Sequence, residues 1–454
     1  MQITVIGCGY LGVTQAACWA ARGHQVLGVD LDEDRILALQ NADLPFYEPG
    51  LAALLRTGVS QGRLSFTTSY MQAVNFANVH FLTVGTPEKS DGTGIDISAV
   101  IASVEKLAEL GAPLIIGRST VPVGTAAQLQ QAHPGVEIAW QPEFLREGQA
   151  VADCLHPDRI VIGCTPDSQV PELIKALNPA DTPLIVTDLA TAELAKTSAN
   201  AFLATKISFI NAISELCEKS GADVRTLAQI LGLDPRIGSG NLAAGLGFGG
   251  GCLLKDLRGL LSTAAKTRTA SVSNLLHQVE GINQQQQYRL AQRILALCAP
   301  DQPSLVEPSL VRPGQDQVGA GLGQEGPDQL DNSQLDTSPT DHGRRAKVAI
   351  LGATFKPHTD DTRDAPALKL ADYLAAGGAE VVITDPKIFP DITVEQALFQ
   401  SDITVLATEW PQYQDLDPVR MQKLVRRAVL FDCRNAIDVA AWRKAGWQCH
   451  GVGW

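Results

Sequence analysis

The first part of the chain alternates strand-like apolar runs with helical patterns. Residues 2–6 predict a buried strand, and an apolar helical pattern follows to about Ala21. Further strands are predicted at 25–29, 79–84, 114–116 and 137–140, and the last three each lead into a polar loop that contains Gly or Pro. Strands that alternate with helices indicate a parallel sheet with helices on both faces. We therefore predict a doubly wound Rossmann-like α/β domain over residues 1–187.

The pattern becomes helical in the middle of the chain. One long alanine-rich helix is predicted from about Asp188 to Lys219, capped by Thr187 or Asp188. More helix is predicted from Cys252 to about Ala299. Residues 188–300 are therefore expected to form a central helical segment.

Residues 301–345 differ from the rest, because Pro, Gly, Gln, Asp and Ser dominate and aromatic residues are absent. This composition predicts a disordered insertion or a loose surface excursion, serving as a linker or as a tail that binds a partner. Strands are predicted again at 348–352 and 381–384. They open a second Rossmann-like domain over residues 346–454, so the expected fold is two doubly wound parallel-sheet domains joined by long helices.

Composition narrows the class of protein. The 454 residues allow two or three domains, and 49 Asp and Glu outnumber 36 Lys and Arg without any basic cluster, which argues against nucleic acid and membranes as partners. The nine cysteines are scattered, as is typical of a reducing compartment, and no His or Cys cluster indicates a metal site. There is no 18-residue apolar run, and the first residues predict a strand instead of a signal peptide. We expect a cytoplasmic protein.

A dinucleotide fingerprint follows the first strand. Gly7 permits a tight turn, Gly9 lets a pyrophosphate approach the amides at the helix N-terminus, and Gly12 lets the helix pack closely on the strand. Asp30 ends the second strand, where its carboxylate would accept hydrogen bonds from both ribose hydroxyls and repel a 2′-phosphate. NAD is therefore the expected cofactor. Arg35 is expected to pack on the adenine or to lie in solvent on its helix.

Polar residues collect where the later strands end. Thr86, Thr120, Glu143 and Glu147 each follow a predicted strand. Ligands of an open parallel sheet bind beyond the carboxyl ends of its strands, so these side chains are expected to meet in one crevice. An exposed pair at a helix start is the alternative for Glu143 and Glu147.

A single cysteine follows a run of glycines at 247–251. Cys252 is predicted to open a helix, and Asp256 lies one turn later on the same face. A helix N-terminus and a nearby cation lower a thiol pKa, and a thiolate beside a carboxylate suggests covalent catalysis with a general base. A buried cysteine in a glycine-rich turn is the alternative.

The long helix carries a polar spot in an otherwise apolar row. Lys196 and Asn200 are four residues apart, so they share a face, and the apolar Leu203 and Ile207 follow along the same stripe. A Lys with an Asn suits an oxyanion site, and a solvated helix face is the alternative. The second domain has no glycine fingerprint, since residues 353–357 replace it, and it is expected to bind a different nucleotide or none.

Together these motifs resemble the UDP-glucose dehydrogenase family, within the nucleotide-sugar dehydrogenases that oxidise a sugar alcohol to an acid. The resemblance covers residues 1–300 and 346–454. It rests on the following markers: Gly7-x-Gly9-x-x-Gly12, Leu44-Pro45-x-Tyr47-Glu48-Pro49-Gly50, Gly85-Thr86-Pro87, Ser119-Thr120-Val121-Pro122, Pro142-Glu143-Phe144-Leu145-x-Glu147-Gly148, Gly247-Phe248-Gly249-Gly250-x-Cys252 and Phe355-Lys356-x-x-Thr359-x-Asp361-x-Arg363.

The resemblance implies an N-terminal NAD domain, a central segment that forms a homodimer or higher homo-oligomer, and a C-terminal domain that binds UDP. Cys252 is implied as the nucleophile, with Lys196, Asn200 and Asp256 around the reacting carbon and Glu143 assisting proton transfer. Thr120 and Glu147 are implied to hold a water near the cofactor. Further NAD contacts are implied for Lys255 and Arg363, and substrate contacts for Phe144, Leu145, Gly249, Phe355, Lys356, Arg434 and, across the dimer, Arg236.

The implied reaction is the NAD-dependent oxidation of UDP-glucose to UDP-glucuronate for polysaccharide synthesis. A thiolate that adds to the intermediate aldehyde gives a thiohemiacetal, which can donate a second hydride and become a thioester. GDP-mannose or a UDP-N-acetylhexosamine is the alternative substrate. A different class of function is an NAD or redox sensor, which would need Cys217 or Cys298 to resolve an oxidised Cys252.

Two departures from the family pattern lie beside the cysteine. Gly251 stands where serine is common, and Leu253 with Leu254 replaces an aromatic residue that proline often follows. These changes predict looser packing against the nucleotide than in the family pattern.

Overall fold

The computed structural model describes residues 1–90, 92, 94–298 and 344–454. The predicted insertion at 301–345 lies outside the described residues except for its last two, and so does the predicted helix end at Ala299.

The N-terminal domain is built on a sheet to which the described residues contribute eight strands. They are β1 (Gln2–Ile6), β2 (Gln25–Val29), β3 (Leu64–Thr67), β4 (Val79–Leu82), β5 (Leu114–Gly117), β6 (Glu137–Trp140), β7 (Ile160–Gly163) and β8 (Leu184–Thr187). Their order is β3-β2-β1-β4-β5-β6-β7-β8, so the first six follow the strand order of dinucleotide-binding sheets. The β6–β7 pair is antiparallel, through Trp140 and Gly163, and the other neighbouring pairs are parallel.

Helices cover this sheet. They are α1 (Tyr10–Ala21), α2 (Glu33–Gln40), α3 (Leu51–Ser60), α4 (Tyr70–Phe76), α5 (Ser98–Glu109), α6 (Thr125–Ala132), α7 (Ala150–Leu155) and α8 (Val170–Leu177). Buried apolar clusters pack around the strands, with Trp19, Phe81 and Leu55 in one and Ile6, Leu82 and Trp140 in another. The sheet order turns around between β1 and β4, and ligands of such sheets bind at that point.

The centre of the molecule is helical and contains α9 (Leu189–Ser220), α10 (Val224–Gly232), α11 (Gly250–Lys266) and α12 (Ala270–Cys298). The predicted long helix is confirmed, since Asp188 caps α9 by accepting from the Thr191 amide at 2.8 Å, and Gly221 ends it in the left-handed conformation at φ +75°. The predicted continuous helix after Cys252 is interrupted at residues 267–269, and α11 and α12 both pack on α9.

The C-terminal domain contains a second, fully parallel sheet. Its strands are β9 (Lys347–Leu351), β10 (Glu380–Thr384), β11 (Ile403–Leu406), β12 (Val429–Asp432) and β13 (Gln448–Gly451), in the order β10-β9-β11-β12-β13. Its helices are α13 (Pro366–Ala376), α14 (Val394–Leu398), α15 (Pro411–Gln414), α16 (Pro418–Gln422) and α17 (Val439–Lys444). The predicted fold class, two doubly wound domains joined by long helices, is confirmed.

Within the described ranges, no helix combines the length and the apolarity that a membrane crossing needs. A separate feature is Arg258 on α11, which joins the central helices to each other through an ion pair with Glu280 at 2.8 Å. It also joins them to the N-terminal domain through an ion pair with Glu88 at 2.9 Å. The long helices are thereby held against the edge where β4 and its neighbours end.

Candidate active site

The turn between β1 and α1 has the geometry of a pyrophosphate cradle. Gly7 has φ +96°, and a Cβ there would lie 2.7 Å from the Val84 nitrogen. A Cβ on Gly12 would lie 1.9 Å from the Gly7 oxygen, so that position admits only glycine. A Cβ on Gly9 would meet nothing within 4 Å, which leaves its surface open to a ligand. These features fit the predicted dinucleotide site.

The Asp30 carboxylate lies beside this turn. Its Oδ2 accepts from the Cys8 amide at 2.7 Å and from Arg35 Nη1 at 3.0 Å, and its Oδ1 accepts from the Asp32 amide at 3.1 Å. A carboxylate has about four acceptor positions, so roughly one remains free. It can therefore receive one ribose hydroxyl directly, and a second one when Arg35 swings away. Arg35 also pairs with Asp32 at 3.2 Å.

The loops after β4, β5 and β6 carry the remaining residues predicted for the crevice. Thr86 is buried in the loop after β4, and Thr120 is half-buried after β5. Glu143, Phe144, Leu145 and Glu147 follow β6 and are half-buried. The Glu143 carboxylate holds its own loop by accepting from the Leu145 amide at 2.7 Å. The alternative of an exposed pair at a helix start is not what the structure shows, because Glu143 points to the long helix.

Lys196 on α9 meets Glu143 in a buried ion pair, with 2.7 Å between Nζ and Oε1. Burial alone would raise the pKa of Glu143, but Lys196 and the Leu145 amide outweigh it and lower that pKa. Burial likewise acts to lower the pKa of Lys196, but the charges of Glu143, Asp256 and Cys252 raise it. The two side chains are therefore held ionised, and the solvated-face alternative for Lys196 is excluded.

Asn200 lies one turn further along α9 and contacts α11. Its Nδ2 donates to Asp256 Oδ2 at 2.6 Å, and Lys255 Nζ lies 2.7 Å from Asp256 Oδ1. Asp256 is only 1% exposed, so both of its oxygens are committed to protein donors. Lys255, predicted to contact NAD, is thus the counter-ion of Asp256 here.

Cys252 lies in the first turn of α11 with its side chain exposed to solvent. The prediction of an activated thiol is wrong for this state, because the pKa of Cys252 is raised to about 11. Partial desolvation by the surrounding protein is the main cause, and the negative charge of Glu147 is the next; Lys196 opposes both. The predicted helix N-terminus and cation are present, but they are outweighed.

The pKa of the Glu147 carboxyl lies close to neutral pH. Its pKa is raised to about 7, first by desolvation and then by the charge of Asp361, while Arg363 and Lys356 oppose the shift. Its Oε2 is buried without a hydrogen-bond partner among the described residues, and its Oε1 lies 3.4 Å from Arg363 Nη2. A carboxyl with a pKa near 7 can take up or release a proton at physiological pH.

The segment after β9 approaches the glycine run that precedes Cys252. A Cβ on Gly250 would lie 2.8 Å from the Phe355 ring, and one on Gly249 would lie 2.1 Å from the Asp364 oxygen. Lys356 Nζ lies 5.1 Å from the centre of the Phe355 ring, and desolvation lowers the pKa of Lys356. The second domain thus contacts the glycine run immediately before Cys252.

Arg434, after β12, joins the same two segments through the backbone. Its guanidinium donates to the carbonyls of Ala407 at 2.7 Å, Phe355 at 3.2 Å and Gly247 at 3.3 Å. These contacts place Arg434 behind the glycine run, where it fixes the crevice wall.

The two departures at the cysteine each have a structural counterpart. A Cβ on Gly251 would lie 2.3 Å from the guanidinium carbon of Arg363, so glycine makes room for that side chain. Leu254 is buried with Phe248 and Ala204, and Leu253 packs at the edge of the same cluster. The leucines therefore fill the contact between α9, α11 and α12.

Arg236 is a predicted site residue that the single chain does not bring to the crevice. Its side chain is 88% exposed and pairs with its neighbour Asp234 at 2.6 Å.

Several buried or half-buried charged residues near the crevice were missed from the sequence, namely Glu48, Arg118, Glu193 and Asp361. Glu193 accepts from the amides of Gly124 and Ala126 at 2.6 Å each, which ties α9 to the loop after Thr120. The Arg118 Nε is buried and has no hydrogen-bond partner in the described part of the chain. Glu48 and Asp361 lie in motifs on which the family resemblance rests, so the sequence carried a signal for both. No sequence pattern marks Glu193 or Arg118.

In the second domain, the carboxylate at the corresponding strand end is occupied by hydrogen bonds from the protein itself. Asp385 follows β10 and is fully buried. Its Oδ2 accepts from the amides of Ala353 at 2.8 Å and Thr354 at 3.2 Å and from the Trp410 indole at 3.1 Å. No acceptor position is left for a ribose on that oxygen, which agrees with the missing glycine fingerprint.

The domain models of one family match most of the chain. The NAD-binding domain of the UDP-glucose/GDP-mannose dehydrogenase family matches residues 1–179, its central domain matches 190–285 and its UDP-binding domain matches 349–439. The chain belongs to this family.

Similar proteins cover the whole chain. A UDP-glucose 6-dehydrogenase of Rhizobium meliloti is 34% identical over 100% of this chain and 99% of its own length, and the UDP-glucose 6-dehydrogenase YwqF of Bacillus subtilis is 34% identical over 100% and 98%. A UDP-glucose dehydrogenase structure from Pyrobaculum islandicum aligns with a TM-score of 0.80, 30% identity and coverage of 100% and 98%. The chain is therefore an NAD-dependent nucleotide-sugar dehydrogenase.

Proposed function

We propose that this protein oxidises UDP-glucose to UDP-glucuronate in two successive oxidations at one carbon. The observation that carries the proposal is the meeting of Lys196, Glu143, Asn200 and Asp256 around the Cys252 helix turn, where the two domains close. The names of its relatives and the UDP-binding domain model support the substrate.

NAD, when bound at the β1–α1 turn beside Asp30, supplies the hydride acceptor for each oxidation. Residues of this chain bind and transfer the protons released in each oxidation. In the first oxidation Glu143 assists removal of the hydroxyl proton, which passes to a water held by Thr120 and Glu147, and Lys196 holds the substrate oxygen. The product of this step is an aldehyde.

The thiol of Cys252 then adds to the aldehyde. A sulfur–carbon bond forms and the thiol proton ends on the aldehyde oxygen, giving a neutral thiohemiacetal. This adduct keeps the carbon tetrahedral and bearing one hydrogen, so it can lose a second hydride and its hydroxyl proton to become a thioester. Because the pKa of Cys252 is raised while Glu147 is ionised, protonation of Glu147 favours the thiolate.

Hydrolysis of the thioester completes the reaction. Water adds to the carbonyl, the carbon–sulfur bond breaks and the thiol is restored as the acid leaves. Lys196 and the free amide hydrogen of Asn200 stabilise the oxyanion, a role worth roughly 3–4 kcal/mol per donor. Asp256 holds Asn200 in place for this role by accepting the other hydrogen of its side-chain amide.

A sensor function fits the structure less well. Cys217 is buried beneath the C-terminal sheet, and Cys298 packs against the same cluster, whereas Cys252 lies in the crevice with a different set of neighbours. Neither cysteine is placed to resolve an oxidised Cys252.

We further propose that two copies pair through α9 and the turn after α10. Phe202, Phe209 and Leu216 repeat every seven residues on α9 and are 65%, 51% and 61% exposed. This spacing puts them on one face, and Leu233 at the end of α10 is 84% exposed. Pairing through this face would cover the apolar stripe and let Arg236 reach the partner's site.

The test supplies UDP-glucose, GDP-mannose and UDP-N-acetylmannosamine separately and counts NADH released per sugar. Two NADH per UDP-glucose, with UDP-glucuronate as product, is the expected result. One NADH per sugar, or turnover only with another substrate, contradicts the proposal. Cys252→Ala should abolish acid formation while NAD binding persists, and Cys164→Ala is the matched control because Cys164 lies in the N-terminal domain after β7.

A further inference from the structure

A buried carboxylate without a proposed chemical role joins two parts of the active site. Glu48 lies in the loop between α2 and α3 and is 3% exposed. Its carboxylate accepts from the Tyr10 hydroxyl, from the Gly148 amide at 2.7 Å and from the Ala150 amide at 2.8 Å. Hydrogen bonds to an ionised acceptor are about twice as strong as neutral ones, so this junction is firmly held.

The three donors belong to segments with different tasks. Tyr10 is the first residue of α1 and follows Gly9, where the pyrophosphate is expected. Gly148 follows Glu147, has φ +79° and packs against His358 of the second domain. Ala150 opens α7. One carboxylate therefore fixes the cofactor turn relative to the loop that carries Glu143 and Glu147.

The neighbouring residue extends the junction to the C-terminal domain. The Tyr47 amide donates to Asp360 Oδ2 at 3.2 Å, and Lys387 Nζ lies 3.5 Å from the centre of the Tyr47 ring. Phe46 also packs on Tyr10, with 5.0 Å between ring centres. The loop between α2 and α3 thus contacts the cofactor turn, the loop after β6 and the second domain.

We propose that Glu48 is a positioning residue that couples the NAD turn to the placement of the Glu143–Glu147 loop. It acts through Tyr10 and the Gly148 and Ala150 amides and touches none of the reacting atoms. This inference rests on the proposed roles of Glu143 and Glu147.

The test is steady-state kinetics of Glu48→Gln. Glutamine keeps the size but offers one acceptor oxygen and one NH₂ donor, so at least one amide now faces a donor. A loop shifted by about 1 Å lowers kcat by on the order of 10- to 100-fold, and the KM for NAD rises several-fold. The KM for UDP-glucose stays within about twofold, because the substrate contacts from α9 and the second domain remain.

Tyr10→Phe is the matched variant, because it removes only the hydroxyl and keeps both amide contacts. It should raise the KM for NAD with a smaller loss of kcat, and the double variant should show less than the summed effects. A Glu48→Gln protein that melts earlier but keeps both kinetic parameters overturns the proposal. If Glu48→Gln does not fold, an unchanged KM for NAD in Tyr10→Phe does so. Unmodified protein that fails to release two NADH per UDP-glucose defeats the proposed function instead.

Discussion

Asn200 on α9 donates its side-chain amide to Asp256 on α11 across a distance of 2.6 Å. Both side chains are buried, and the bond joins the helix that carries Lys196 to the helix that carries Cys252. The two helices cannot slide past each other without leaving a buried carboxylate short of a donor, which costs about 1–3 kcal/mol or more. The position of Cys252 relative to the Lys196 amine is therefore set by this contact.

The thiol of Cys252 should react slowly at neutral pH in the free enzyme. Its pKa of about 11 predicts that alkylation by iodoacetamide accelerates as the pH rises towards that value. Glu147→Gln removes the charge that raises this pKa most after desolvation, so alkylation at pH 8 should become roughly 3- to 10-fold faster. Mass spectrometry of the Cys252 peptide over time measures both rates.

The matched control is Glu105→Gln, because Glu105 lies exposed on α5 and does not contribute to the Cys252 pKa. It should leave the alkylation rate unchanged. An apparent pKa below about 9 in the unmodified protein would contradict the claim that desolvation and the Glu147 charge suppress ionisation of the Cys252 thiol.

The Lys196–Glu143 pair should matter for stability as well as for chemistry. Lys196→Met leaves Glu143 as a buried unpaired charge, which should cost about 3–5 kcal/mol in the free energy of unfolding. Lys196→Met combined with Glu143→Gln should cost less than Lys196→Met alone, because no unpaired charge remains. Urea unfolding of the three proteins gives these differences.

The pH dependence of this pair has a defined sign. The lowered pKa of Glu143 means that its contribution to stability is present above the ordinary value of 4.5 and is lost as the pH falls below it. The raised pKa of Lys196 means that its contribution is lost only as the pH rises above 10.5. If Lys196→Met loses as much stability as the unmodified protein when the pH falls below 4.5, the Lys196–Glu143 pair is not responsible for the loss of stability in acid.

The two strand-end aspartates should respond differently to removal. Asp30→Ala should raise the KM for NAD about tenfold, since a hydrogen bond to a charged acceptor is lost. It should destabilise the fold less than Asp385→Ala does, because among the residues that the structure describes the Cys8 amide is the only donor to Asp30 that belongs to a buried residue. Asp385→Ala leaves several buried donors unsatisfied and should lower the free energy of unfolding by about 3 kcal/mol or more without changing the KM for NAD. Kinetics and thermal melts on the same preparations separate the two effects. An Asp385→Ala protein that is stable but binds NAD weakly would show that the second domain takes the dinucleotide.

Arg236 offers a test of whether the active site is shared between subunits. Cys252→Ala and Arg236→Ala should each be inactive as homodimers. Mixed and reassembled at equal amounts, they should recover about a quarter of full activity, because half the dimers are mixed and each has one complete site. Recovery is absent if Arg236 serves its own chain. Asp234→Ala mixed with Cys252→Ala measures whether the ion pair between Asp234 and Arg236 contributes to the recovery of activity.

The sequence was most informative where a local pattern determines a local structure. The strand at 2–6, the glycine turn and the cap at Asp188 depend on neighbouring residues, and the structure has all three. The antiparallel β6–β7 pair was not predicted, because a four-residue apolar strand shows no direction in its sequence.

The electrostatics of the site depend on contacts between distant segments. After desolvation, the pKa of Cys252 is raised most by Glu147, which lies about a hundred residues earlier in the chain, and that of Glu147 by Asp361 in the other domain. A motif at Cys252 shows the helix N-terminus but not the carboxylates brought to it. Glu48 lies in a sequence motif, but its role could not be inferred from that motif, because its donors lie on α1, in the loop after β6 and at the start of α7.

The long helix α9 has 32 residues, which corresponds to a rod of about 48 Å. Lys196 and Asn200 lie in its first half, and the exposed apolar stripe of Phe202, Phe209 and Leu216 follows them. The Lys196 amine and the exposed apolar stripe therefore lie on one helix. A partner bound at the distal end of α9 would also constrain the orientation of that amine. A crowding or cross-linking agent that acts only on that distal end would alter turnover at a distance, without entering the crevice.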